Sequence, residues 1–128
     1  MKEIIIIFCI IILIILGALF VDNYLKKTTN ILVSNLEDLR YNIENKNNAK
    51  EELEKKSEEI KLKWDEINKK WSNIILHEEI DLIETALIRT KSKIEIGLEN
   101  ESIEDIDTAI FLINHIKEKE KTSLKNIF

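Results

Sequence analysis

Two histidines stand near carboxylates in this chain. His77 opens the run His77, Glu78, Glu79, Asp81 and Glu84, and His77 and Asp81 are spaced i,i+4, so a helix puts them on one face. His115 and Glu118 form a second, smaller set. Imidazole nitrogens and carboxylate oxygens both ligate zinc and other divalent ions, which makes His77, Asp81, His115 and Glu118 the candidate metal ligands. The spacing carries no diagnostic motif, since HExxH, a Glu-x-x-His pair and CxxC are all missing. A plainer reading needs no ligand. Carboxylates at a helix start favour the positive end of its dipole, and the rest is a solvated face.

A second acidic stretch holds Glu99, Glu101, Glu104, Asp105 and Asp107. It lacks the alternation and central Gly of a calcium loop and reads as a solvated cap. No nucleophile–base arrangement, Gly-rich phosphate loop or dinucleotide fingerprint is visible. The chain is therefore expected not to be an enzyme, and no cofactor is implied. Trp64 and Trp71 share a stripe with Ile60, Ile67 and Ile74. They read first as core, where each indole N–H requires a polar partner, and second as a groove for a ligand or partner. Trp64, Trp71, His77, Glu79 and Asp81 are the interaction candidates.

These residues must be positioned by helices. The 128 residues are 34% charged and 45% hydrophobic, with two Gly and no Pro, which argues for long helices and against a turn-rich β fold. A net charge of −5 argues against nucleic acid, which calls for a basic stripe. The single cysteine, Cys9, excludes an intrachain disulfide framework.

From Ile4 to Val21 no side chain is charged or strongly polar. As a helix this run reaches ~27 Å, close to the ~30 Å hydrocarbon core of a bilayer. A cleaved signal peptide would want small residues two apart, whereas Gly17 and Ala18 are adjacent. A soluble core helix would rarely be apolar all round for this length. The run is read as an uncleaved transmembrane anchor over residues 1–21, followed by a domain over 22–128. Lys2 and the α-amine against Glu3, and Lys26 and Lys27 against Asp22, nearly balance the positive-inside count. The short head before the run reads as a signal anchor, which places the N-terminus inside and the domain outside the cytoplasm.

Leu25, Thr28, Leu32, Leu36, Leu39 and Ile43 continue the first helix as one stripe until the polar cluster 45–48. Asn48 with Glu51 predicts a cap for a second helix carrying Ala49, Leu53, Ile60, Trp64, Ile67, Trp71 and Ile74. The stripe then slips phase to Ile80, Ile83, Leu87 and Ile94, which predicts a break near Leu76 to Glu79. Gly97 predicts a left-handed helix end, and Ser102 with Asp105 a capping box for a fourth helix burying Ile103, Ile106, Ile110 and Ile113. The expected fold is all-α, an N-terminal transmembrane helix followed by an antiparallel up-down bundle of about four helices. That topology puts the break near residue 77 and the apolar tail Leu124, Ile127 and Phe128 at the membrane end. One long coiled-coil rod is the architectural rival.

The Ile-rich N-terminal run, the segment WDEINKKWSNIILHEEID from Trp64 to Asp81, and the ending FLINHIKEKEKTSLKNIF give the layout a resemblance. It resembles domain-of-unknown-function family 4363, small membrane-associated proteins of clostridia and related Firmicutes. The resemblance implies a membrane location, supplies no activity, and draws attention to Trp71, His77, Glu79, Asp81 and His115. The function expected is a membrane-anchored interaction module with a protein partner, such as another membrane protein. A ligand- or divalent-metal-binding module at the His77 cluster is the alternative.

Overall fold

A computed structural model describes residues 1–46 and 49–127, with side chains described as far as Lys121. Four helices follow one another: α1 (Lys2–Glu44), α2 (Lys50–Trp71), α3 (His77–Glu95) and α4 (Glu99–Ile127). No strand occurs among the described residues.

The 43-residue helix α1 has two halves with different surroundings. From Ile4 to Phe20 no residue is buried, although nearly all are large and apolar. From Leu25 onward the predicted stripe turns inward, and Leu25, Thr28, Leu32, Leu36, Leu39 and Ile43 are all buried, with Thr29 beside them. They meet Leu53, Ile60, Trp64, Ile67 and Trp71 of α2, Ile80, Ile83, Leu87 and Ile94 of α3, and Ile106, Ala109, Ile113 and Ile116 of α4. Burying such side chains contributes ~1.5–3 kcal/mol each, which makes this stripe-on-stripe contact the main stabilising term.

Each helix packs on its neighbours in a ring: α1 on α2, α2 on α3, α3 on α4, and α4 back on α1. Ion pairs between helices lie where antiparallel neighbours place their partners. Lys56 meets Asp38 at 3.0 Å, Lys91 meets Glu58 at 2.7 Å, Lys93 meets Asp105 at 2.6 Å, and Arg40 meets Asp107 at 2.8 Å. The up-down bundle is therefore the fold, and a single rod is not.

Several helix ends differ from the sequence expectation. Helix α2 stops at Trp71, and the break covers Ser72 to Leu76, a few residues early. Neither Gly nor Pro marks this turn. Its backbone folds through hydrogen bonds from Ile74 and Ile75 to the Trp71 carbonyl, 2.9 and 2.8 Å. Consequently Ile75 is buried, and Ile74, expected on the core stripe, is exposed, as is Ala49 at the other end of α2. The capping box at Ser102 is not formed. Helix α4 starts at Glu99, and the Ser102 hydroxyl donates to the Glu99 carbonyl at 2.6 Å while Asp105 pairs with Lys93. Ile103 and Ile110 are half-buried, and Ile116 completes the α4 stripe instead.

Gly97 behaves as expected, with φ +84°. Its N–H donates to the Ile94 carbonyl at 3.2 Å, and that of Leu98 donates to Lys93 at 2.7 Å, the paired bonds of a Schellman end. The predicted Asn48 cap and the side chains of Leu124, Ile127 and Phe128 lie outside the described residues. The described N-cap of α2 is Ala49, without a side-chain bond.

Candidate functional site

Trp64 and Trp71 lie in the interior, both 0% exposed. Their rings meet edge to face, with centroids 5.8 Å apart and planes at 83°, an arrangement that places the positive edge of one on the negative face of the other. Each indole N–H has the partner that burial demands. Trp71 donates to the Thr28 hydroxyl at 2.9 Å, and that hydroxyl in turn donates to the Tyr24 carbonyl at 2.8 Å. Trp64 donates to the Glu84 carboxylate. Both tryptophans are core residues, the first of the two readings, and neither has exposed surface here.

Glu84 leaves the histidine cluster altogether. Its carboxylate turns to α2, where the Lys61 ammonium reaches it at 2.7 Å and also pairs with Asp65 at 2.6 Å. Desolvation pulls the Lys61 ammonium down, but its hydrogen bonds to Asp65 and Glu84 and their charges outweigh this and hold its pKa above the ordinary lysine value. The sequence carried a signal for this role. Glu84 is four residues after Ile80 and three before Leu87, an acid on the buried stripe of α3.

His77, Glu78 and Asp81 are exposed on the first turns of α3. Glu79 is half-buried and pairs with Lys119 of α4 at 2.9 Å, a contact that raises the Lys119 pKa through the hydrogen bond and the charge of Glu79. His115 stacks on Phe111, centroids 5.9 Å apart and planes at 15°. No three His, Cys, Asp or Glu side chains gather as a metal-binding group among the described residues. The set His77, Asp81, His115 and Glu118 is not assembled.

The end of the bundle next to the apolar half of α1 has a surface that the sequence did not single out. Phe20, Val21 and Tyr24 of α1, Lys70 of α2 and Ile74 of the following turn line one shallow groove. The Lys70 ammonium lies 5.4 Å from the centre of the Tyr24 ring, within cation–π range. Burial, and then the Glu66 charge, push the Tyr24 phenol above its ordinary pKa. The sequence put Ile74 on the core stripe of α2, and the turn after Trp71 is what carries it out to this surface while Ile75 takes the buried place.

One helix of the described residues, Lys2–Glu44, is long and apolar enough at its N-terminal end to cross a membrane. Comparisons with curated proteins and with solved structures give no match. The model of the family described as Domain of unknown function (DUF4363) matches residues 19–127. That span begins at the end of the apolar run and takes in the whole bundle, and the chain belongs to this family.

Proposed function

We propose that this protein is a single-pass membrane protein that presents its four-helix bundle outside the cytoplasm as a non-catalytic interaction module. The observation that carries the reading is the apolar stretch of α1, exposed on every side yet continuous with the helix that lines the bundle core. In water that stretch is costly; in lipid it is stabilising, and its helical backbone is already satisfied. The partner surface is the outer face at the start of α3, where His77 and Asp81 are exposed at the height at which a second membrane protein would meet the bundle.

Two measurements test this. In a Cys9→Ser background, Leu62→Cys on the exposed face of α2 should react with a membrane-impermeant maleimide on intact cells. Reaction only after lysis overturns the orientation. Crosslinking from native membranes should capture a membrane partner, and His77→Ala with Asp81→Ala should weaken that association about tenfold, ~1.4 kcal/mol. Unchanged association rejects this face, and a stoichiometric metal in the eluate without a partner rejects the interaction module.

A further inference from the structure

The turn between α2 and α3 exposes two large aliphatic side chains, Ile74 at 38% and Leu76 at 63%, while Ile75 between them is buried. Single exposed aliphatics are common on protein surfaces. What distinguishes these two is their height along α1. Trp71 is bonded to Thr28, Lys70 lies over Tyr24, and Ile74 shares a groove with Phe20 and Val21. Following α2 into the turn therefore descends α1 toward its apolar half, and Ile74 arrives beside the last two residues of the run. Because α1 is one unbroken helix there, it acts as a ruler. With Ile4 to Val21 filling a hydrocarbon layer of ~30 Å, Phe20 and Val21 lie at its boundary with the headgroups.

We propose that the turn between α2 and α3 is seated in the lipid interface, with Ile74 and Leu76 entering the boundary of acyl chains and headgroups beside Phe20. This rests on the membrane anchoring proposed above. The bundle then stands on the bilayer at two points, the anchor and the turn, and cannot swing about α1. The charges around the seat suit it. Lys26, Lys27, Lys69 and Lys70 are exposed at this end, where ammonium groups reach lipid phosphates while their stems lie on apolar surface. Asp22, Glu66, Glu78 and Asp81 offset part of this charge, and Glu79 is paired with Lys119. The acidic excess of the chain lies in the opposite half of the bundle, above all in Glu99, Glu101, Glu104, Asp105 and Asp107, away from an anionic surface.

The test uses the full-length protein with Cys9→Ser in vesicles of mixed phosphatidylcholine and phosphatidylglycerol. One nitroxide at a time is attached through Phe20→Cys, Ile74→Cys, Leu76→Cys or Leu62→Cys. Relaxation by oxygen, which partitions into lipid, is compared with relaxation by a nickel chelate, which stays in water. Oxygen should dominate at the Phe20, Ile74 and Leu76 sites, and the chelate at Leu62. Chelate dominance at both Ile74 and Leu76, with oxygen still dominant at Phe20, overturns the seat and leaves the anchor standing. It would reassign the turn to a protein partner. Chelate dominance at Phe20 as well overturns the anchoring itself.

Discussion

Thr28 and Thr29 are adjacent, both buried, and opposite in their energetics. The Thr28 hydroxyl accepts from Trp71 and donates to Tyr24, whereas the Thr29 hydroxyl has no hydrogen-bond partner. Valine keeps the shape of threonine and removes the hydroxyl. Thr28→Val strands a buried indole N–H and should cost ~1–3 kcal/mol, while Thr29→Val removes an unmet polar group and should be neutral or stabilising by ~1 kcal/mol. Denaturant titration of the two variants reads both signs, and equal effects would refute the relay. Glu84 gives a second contrast. Glu84→Ala removes the acceptor of Trp64 and the partner of Lys61 and should cost about 2 kcal/mol. Glu84→Gln keeps an acceptor for the indole and should cost less. Because the folded pKa of Lys61 is raised, its contribution is complete below the ordinary lysine value of about 10.4 and is lost as pH rises through the folded value. The stability gap between wild type and Glu84→Gln should therefore narrow at alkaline pH; a gap independent of pH would count against the bridge.

The helix ends tell the same story at the next scale. Gly97 after α3 and Lys46 after α1 both have positive φ, +84° and +51°. Glycine, which has no Cβ, takes this conformation without crowding, so Gly97→Ala should destabilise by ~1 kcal/mol and Lys46→Gly should stabilise by ~0.5–1 kcal/mol. Thermal melts of the two variants check this, and shifts in the same direction would sink the argument. The Gly97 end was legible in the sequence because a glycine just past a helical stripe takes the left-handed conformation of a helix end without strain. The core stripes were equally legible: every residue read into the α1 stripe is buried, because the 3.6-residue period is imposed by the helix alone. The exact turn at 72–76 was not, since its conformation comes from backbone bonds that any side chain permits. Ser102 misled for a related reason. Its hydroxyl serves a cap or a helix interior equally well, and the Schellman end at Gly97 brought the next helix in three residues sooner. The His77 cluster was legible as residues but not as geometry, since whether Glu84 turns to α2 depends on where Lys61 and Trp64 sit.

At the scale of the whole molecule α1 joins a half packed into the bundle core to an apolar half that is exposed on every side. Its 43 residues reach ~65 Å, of which roughly half lines the bundle and the rest matches the thickness of a bilayer. The core contacts of α1 begin at Leu25, with Val21 and Tyr24 packed at their edge. Inserting about four alanines between Val21 and Asp22, roughly one turn and ~6 Å of rise, therefore leaves most of the core intact while lifting the bundle away from the apolar run. The denaturation midpoint should fall only slightly, because the lost contacts are those of Val21. If α1 sets the depth of the turn, a nitroxide at the Leu76 site should move from oxygen-dominated to chelate-dominated relaxation, while one at Phe20 stays in lipid. If the Leu76 site remains in lipid after the insertion, the turn holds the bilayer by its own affinity and α1 bends to follow it. The first result makes the long helix a rigid spacer whose length decides whether the bundle touches the membrane.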